Sequence, residues 1–235
     1  MKEKPISAEY SFKEFTWTVT SKFGTLTAEQ LCLSVGWGDP GSLKLEQARH
    51  AAIVIARKLD KTYTVIHEIY TQATGDLRDL ARQLVNAKDL LAIKTCYVDK
   101  SQEEFYEYLR HVDGLTQYIP LGEREDGRIE YAQDPSTWPF FNGWDKTLDL
   151  VGISEEIFLR FSSHQAQLQH MIGTGKVKAG MRTPQLLAAQ AAMPPGQWEN
   201  NPFLRAFVAG IVMMEKEIER PGDSEIRQNV WYGAR

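Results

Sequence analysis

Cysteine is scarce in this chain, and long apolar runs are absent from it. Two cysteines, Cys32 and Cys96, occur in 235 residues without the spacing of metal ligands. This excludes a disulfide framework and predicts two buried, reduced thiols. The first residues, MKEKPISAEYSFKEF, contain acids and no apolar core, so no signal peptide is expected. Every apolar stretch falls far short of the ~20 residues that span a bilayer, so we expect a cytoplasmic protein with no membrane partner.

The motifs of common catalytic chemistry are missing as well. No G-x-S-x-G nucleophile elbow occurs, and His67-Glu68 lacks the second histidine that a zinc protease helix carries. The glycine-rich stretch at 173–180 does not have the glycine, lysine and hydroxyl order of a Walker A loop. The sequence therefore predicts no catalytic residue.

Metal-binding patterns are equally weak. Two carboxylate–histidine pairs, Glu46/His50 and Glu107/His111, have the four-residue spacing that places both side chains on one helical face. Helical di-metal sites use a three-residue spacing together with additional glutamates. Solvent-exposed ion pairs explain both pairs, so we predict no metal site and no cofactor.

No sign of charge dominates the chain. Hydrophobic residues make up 43% and charged residues 25%, with a net charge of −4, which is typical of folded globular proteins. Such a balance gives no global attraction to nucleic acid or to anionic membranes. We expect one domain over residues 1–235. The alternative is an α+β half (1–114), an irregular connecting segment (115–152) and a helical half (153–235).

Strand signals are concentrated near the N-terminus. Residues 14–20 (EFTWTVT) alternate between apolar and polar side chains, which predicts a half-buried strand. A capping box at 27–30 predicts a helix through Val35, although an LCLSV strand competes with it. A one-sided apolar stripe predicts a helix over 43–59. Residues 62–70 (TYTVIHEIY) fit either a strand or a helical continuation.

Helical signals dominate the rest of the sequence. Apolar periodicity and capping residues predict helices over 77–93, 102–112, 154–172, 184–193 and 202–219, the last two opened by Thr183-Pro184 and Asn201-Pro202. The predicted fold class is therefore α+β, predominantly α-helical with a small N-terminal β element.

An aromatic segment at 134–145 (DPSTWPFFNGWD) is the first candidate contact surface. Its prolines, asparagine and glycine exclude a regular helix or strand. Tryptophan and phenylalanine are enriched in interface hot spots, so the four aromatic residues are candidates for binding a protein partner. The alternative is that they cap the protein's own core. These residues are Trp138, Phe140, Phe141 and Trp144.

A segment without acidic residues is the second candidate surface. No Asp or Glu occurs between Glu156 and Glu199, over residues 157–198. The functional interpretation is a contact surface for a polyanion; the alternative is a buried helix pair with a solvated basic linker. His164 lies on an apolar stripe, where a hydrogen-bonded core histidine is the usual explanation. The candidate polyanion-binding residues are Arg160, Lys176, Lys178 and Arg182.

Together these features predict a non-catalytic subunit or adaptor of a larger assembly. A protein is the expected partner, and nucleic acid is the second kind of partner considered. The alternative is an enzyme acting on a small polar or phosphorylated substrate around His164 and the basic loop at 173–182. The oligomeric state is left open.

Overall fold

The computed structural model describes the larger part of the chain in twelve ranges. The described residues are 6–11, 13–21, 24–37, 50–71, 77–93, 95–99, 109, 120–123, 129–131, 149–153, 155–180 and 182–219. The strands are β1 Ser7–Ser11, β2 Thr16–Ser21, β3 Gly24–Trp37, β4 His50–Lys58, β5 Tyr63–Tyr70, β6 Thr95–Asp99, β7 Pro120–Glu123, β8 Ile129–Tyr131, β9 Asp149–Ile153 and β10 Val177–Ala179. The helices are α1 Leu77–Leu91, α2 Glu155–Leu159, α3 Phe161–Gly173, α4 Pro184–Ala192 and α5 Pro202–Glu219, with a 3-10 helix at Pro195–Asn200.

An eight-stranded mixed sheet forms the centre of the described molecule. Strands β1 to β5 pair antiparallel in chain order, and β10 joins β5 in parallel. The 14-residue strand β3 pairs with β4 along one edge. Its other edge pairs first with β2 and then, in parallel, with β6, which in turn pairs with β9. Strands β7 and β8 form a separate hairpin.

This sheet shows that the predicted fold class, predominantly α-helical with a small N-terminal β element, is wrong. The predicted helix at 27–35 lies within β3, and the second half of the predicted helix at 43–59 is β4. Of residues 62–70, which fitted either structure, Tyr63–Tyr70 form β5. The sheet extends from the N-terminal strands to β10, close to the C-terminal helices.

Both faces of the sheet are covered, which explains the error in β4. The run AAIVIA is apolar at every position, so a helical and a strand periodicity fit it equally well. Such runs are typical of strands that are buried on two faces. Ala51, Ile53 and Ile55 pack towards α2–α5, whereas Ala52, Val54 and Ala56 pack towards α1. The result is three layers, with helices on each side of one sheet.

Two bulges interrupt the alternation of side chains. In β3, Ala28 pairs with Lys58 and Gln30 with Arg57, so Glu29 is the extra residue. Even-numbered residues face α1 before this bulge and odd-numbered residues face it afterwards. In β5, Ile66 is the extra residue, and the bulge turns Glu68 towards the face covered by α2–α5.

The crossover connections account for the two helical layers. Strand β5 leads through α1 to β6, and β9 leads through α2 and α3 to β10, in the opposite direction across the sheet. Right-handed crossovers in opposite directions require their helices to lie on opposite faces. The packing of α1 against one core and of α2 and α3 against the other satisfies this requirement.

Several predicted elements agree with the structure. The predicted strand at 14–20 corresponds to β2, and the predicted helices near 77–93, 184–193 and 202–219 correspond to α1, α4 and α5. The predicted helix at 154–172 is divided into α2 and α3. The prediction for 102–112 falls outside the described residues except at Leu109.

Helix α5 lies unusually close to the centre of the sheet. A Cβ atom added to Gly36 would lie 2.4 Å from the carbonyl oxygen of Pro202 and 2.6 Å from the backbone nitrogen of Ala206. The Ser34 hydroxyl donates to the carbonyl oxygen of Ala206 at 2.7 Å. Asn201 Oδ1 caps α5 by accepting from the backbone nitrogen of Phe203 at 3.0 Å, as the Asn201-Pro202 pair predicts.

Candidate functional site

The acid-free segment at 157–198 lies mostly within one layer of the fold, which α5 completes. It contains most of α2, all of α3, β10 and α4, and most of the 3-10 helix. Apart from β10, these elements cover the sheet face that α5 also covers. The absence of carboxylates is therefore a property of a continuous part of the molecule, which sequence alone could not establish.

The four predicted polyanion-binding residues are spread over this layer. Arg160 is exposed at the start of α3, whereas Lys176 follows the end of that helix, about 20 Å away for 13 helical residues. Lys178 is exposed on β10, where it alternates with the buried Val177. Arg182 precedes α4. Burial lowers the pKa of His67, and the charge of Arg182 lowers it further.

Lys176 belongs to a polar network at one end of the sheet. Its Nζ lies 3.1 Å from Glu215 Oε1 of α5, and the hydroxyl of Tyr63 donates to the same oxygen. Burial and the Glu215 carboxylate raise the pKa of Tyr63, so its phenol is not prepared to act as a base. A second part of the network joins Glu29 to Arg57 and Lys61. The contacts of Glu215 tie α5 to β5 and to the residue that precedes β10.

His164 and the basic loop at 173–182 lie at different ends of α3. His164 is partly buried in the first turns, and the loop begins where the helix ends, about 14 Å further along the axis. Within the loop, Gly180 donates its backbone N–H to the carbonyl oxygen of Val65 at 2.9 Å. The start of the loop therefore lies away from His164.

Glu68 positions α4 and was not recognised from the sequence. Its carboxylate oxygens accept from the backbone nitrogens of Gln185 and Leu186, each at 3.0 Å. Thr183, the predicted N-cap, instead donates its hydroxyl to the carbonyl oxygen of Gly180. Burial raises the pKa of Glu68, while the two backbone hydrogen bonds oppose that rise. A lone acidic residue inside an apolar strand was the available signal.

The outward surface of the helical layer is mostly uncharged. Leu159 is 78% exposed and Leu187 is 43% exposed. Within α2, α3, α4 and the residue that joins α2 to α3, the described exposed groups able to carry a positive charge are Arg160 and His170. We call the exposed side chains of α2, α3 and α4 between 159 and 192 the acid-free face. Its other exposed members are Ser162, Ser163, Ala166, Gln167, Gly173, Pro184, Gln185, Ala188, Ala191 and Ala192.

A second cluster lies where strands β3 and β5 end. The guanidinium carbon of Arg205 lies 4.6 Å from the ring centroid of Trp37 and 3.9 Å from that of Phe158. The rings of Tyr70 and Phe203 meet edge to face, with centroids 5.5 Å apart. Sequence reasoning missed these residues because only the topology of the sheet brings the strand ends and α5 together.

The thiols do not form a nucleophilic centre. Burial raises the pKa of Cys96, and Cys32 Sγ lies 3.3 Å from the sulfur of Met214 inside the core. Within the described ranges, no three or more His, Cys, Asp or Glu side chains are grouped to hold a metal ion. None of the helices in the described part combines the length and apolar character of a membrane span.

The remaining predicted residues fall outside the structural description. Trp138, Phe140, Phe141 and Trp144, together with the rest of the 134–145 segment, lie outside the described residues. The same holds for Glu46, Glu107 and His111, so both carboxylate–histidine pairs stay untested.

Comparison with known proteins adds no relative. No family model matches the chain, and no curated protein matches it either.

Proposed function

We propose that the chain is a non-catalytic subunit or adaptor of a larger assembly and that its acid-free face contacts a protein partner. One observation carries the proposal: a chain of net charge −4 presents a helical surface without carboxylates and with exposed leucines. Apolar surface patches mark many protein contact sites, and we propose that the two exposed leucines belong to one. The four aromatic residues of the 134–145 segment remain a second proposed contact surface.

The placement of the basic residues favours a protein over a nucleic acid as the partner. Lys176 forms an ion pair with Glu215, and Arg160 lies at the far end of α3. A groove that follows a nucleic acid backbone needs closely spaced cations. Leu159 and Leu187 suit an apolar contact instead.

Internal use of the polar groups supports a non-catalytic role. The carboxylates of Glu29, Glu68 and Glu215 bond to other parts of the same chain. The proposal includes a cytoplasmic location, and the two reduced, buried thiols support it.

Charged substitutions on the acid-free face test the proposal. The wild-type chain and its variants are used as bait in affinity capture from the source cells. We expect Leu159→Glu and Leu187→Glu to retain less of the proteins that the wild type binds, because each substitution places a charge in an apolar contact. Leu90→Glu is the matched control, since Leu90 is 44% exposed on α1 in the opposite helical layer.

Two results would contradict the proposal. If the wild type and the three variants capture the same proteins in equal amounts, the acid-free face does not form the contact. A gel shift with mixed DNA and RNA that weakens as salt increases would instead favour a nucleic acid partner.

A further inference from the structure

Six side chains connect the turn between β4 and β5 to helix α5. They are the members of the polar network, and each pairs with the next or lies directly opposite it on a neighbouring strand. Basic and acidic groups alternate along the network, interrupted by one tyrosine. In order, its members are Lys61, Glu29, Arg57, Tyr63, Glu215 and Lys176. An unbroken series of polar neighbours therefore joins the two ends.

The outer end of the polar network lies in the β4–β5 turn. The side chain of Lys61 is 64% exposed, and its ammonium group pairs with Glu29, the extra residue of the bulge in β3. Arg57 pairs with the same carboxylate, so two basic groups share one mostly buried acid. Loss of the Lys61 charge leaves the whole negative charge of Glu29 to Arg57.

The middle of the polar network lies inside the protein. Arg57 and the buried Tyr63 are directly opposite each other on β4 and β5, which places their Cβ atoms about 5 Å apart. Burial and the Glu215 carboxylate raise the pKa of Tyr63, and Arg57 opposes that rise. A positive charge beside a phenol makes its O–H a stronger hydrogen-bond donor. An Arg57 that Glu29 neutralises more completely therefore weakens the bond that Tyr63 donates.

The inner end of the polar network holds the last turns of α5. Glu215 accepts from the Tyr63 hydroxyl and pairs with Lys176 at 3.1 Å. Lys176 is itself fixed to β5, because its carbonyl oxygen accepts from the backbone nitrogen of Tyr63 at 2.8 Å. Helix ends open locally more readily than helix centres. A weaker bond between Tyr63 and Glu215 is therefore expected to release the end of α5 first.

We propose that the polar network couples the β4–β5 turn to the C-terminal half of α5. An anionic group that binds Lys61 at the surface withdraws its ammonium from Glu29, and the end of α5 then opens more often. The turn is the point at which a partner acts, since Leu59 within it is 57% exposed and Lys61 is exposed as well. This coupling does not depend on the proposed adaptor function.

Amide hydrogen exchange measured by NMR tests the coupling. Lys61→Met keeps the approximate length of the side chain and removes its charge, which reproduces the loss of the ion pair with Glu29. We expect amide exchange at 213–216 to accelerate by about twofold or more, because the end of α5 opens more often. Lys58→Met is the matched control, since Lys58 adjoins the same turn and pairs with Asp60 at 3.7 Å instead of with Glu29.

A double substitution tests whether Tyr63 connects the two ends. Tyr63→Phe removes the hydroxyl that bonds to Glu215. In that background we expect Lys61→Met to leave exchange at 213–216 unchanged, because the coupling between two residues is lost when the group that links them is removed. Glu215→Gln, which removes the charge of the acceptor, is the background used if Tyr63→Phe does not fold.

The proposal fails under either of two results. One is exchange at 213–216 that is as fast in the Lys58→Met control as in Lys61→Met, which would mean that the network does not transmit the change. The other is an equal acceleration by Lys61→Met in the wild-type and the substituted background, which would show that the turn affects α5 by a route that bypasses Tyr63 and Glu215.

Discussion

Glu68 is a carboxylate that the fold buries in order to hold a helix. The bulge at Ile66 turns it inward, and its two oxygens take the place of a side-chain cap at the start of α4. Burial nevertheless raises its pKa, so the native state favours the protonated acid more than the unfolded chain does. Glu68 therefore caps α4, while the free energy lost by burying its charged form depends on pH.

The pH dependence of stability follows from this direction. As the pH falls from neutrality, Glu68 binds a proton in the native state at a higher pH than in the unfolded chain, where its pKa has the ordinary value of 4.5. We expect the free energy of unfolding of the wild type to rise, relative to Glu68→Gln, as the pH falls towards that value. Denaturant unfolding at several pH values measures the difference. A difference that stays constant, or that shrinks on acidification, would contradict the assignment.

Alanine at the same position separates the cap from the charge. Glu68→Ala leaves the backbone N–H groups of Gln185 and Leu186 without their acceptor, so we expect a loss of about 1–3 kcal/mol at neutral pH. Glu68→Gln keeps one carbonyl acceptor and removes the buried charge, so its loss should be smaller. Equal losses in the two variants would mean that packing, rather than capping, dominates.

At the scale of elements, α1 ends in a conformation that its sequence does not favour. Ala92 has a φ of 50°, and the backbone nitrogen of Ile93 donates to the carbonyl oxygen of Lys88 at 3.1 Å. This is the 6→1 bond of a Schellman motif, whose left-handed position is usually a glycine. The Ala92 carbonyl also accepts from the indole nitrogen of Trp17 at 3.2 Å, so the turn connects α1 to β2.

Glycine substitutions should have opposite effects at this turn and inside a helix. We expect Ala92→Gly to stabilise the protein by up to about 1 kcal/mol, because glycine adopts a positive φ without strain. Ala166→Gly, at an exposed position inside α3, should destabilise it by about 1 kcal/mol. Thermal unfolding of both variants provides the comparison. A destabilised Ala92→Gly variant would show that the methyl group contributes more than the backbone strain costs.

The local signals in the sequence predict the positions of the described helices well and those of the central strands poorly. Proline and asparagine at 201–202 mark the start of α5 because capping is a local property. The side chains of β3 do not alternate regularly between apolar and polar over its 14 residues, because the bulge at Glu29 reverses which positions face each side of the sheet. Strand β4 is apolar on both faces. Its strand partners β3 and β5 are its neighbours in the chain, but helix α5, which covers one of its faces, begins more than a hundred residues later.

The candidate sites also combine features that are visible in the sequence with features that only the fold creates. The absence of acids over 157–198 is visible in the sequence, but its location on one helical layer requires the fold. Trp37 lies more than a hundred residues before both Phe158 and Arg205 in the sequence, and the fold brings the three together. No periodic pattern in the sequence indicates that these three residues lie close together, so the sequence could not predict the cluster.

At the scale of the whole molecule, small residues set the distance between two layers. Gly36 faces the backbone of α5, and backbone atoms cannot move aside as a flexible side chain can. We expect Gly36→Ala to destabilise the protein by about 1–3 kcal/mol through overpacking. Gly173→Ala is the matched control, because no atom lies within 4 Å of an added Cβ there. Denaturant unfolding that gives equal stability to the two variants would contradict the close contact between α5 and the sheet.

The position of α5 at the end of the described chain has a consequence for synthesis on the ribosome. Strands β1–β5 are complete by Tyr70, yet the helix that covers Cys32, Ile53 and Ile55 begins only at Pro202. Translation of the intervening residues takes on the order of ten seconds. During that interval the nascent chain carries an apolar sheet face without its final cover, and such a surface both recruits chaperones and drives aggregation.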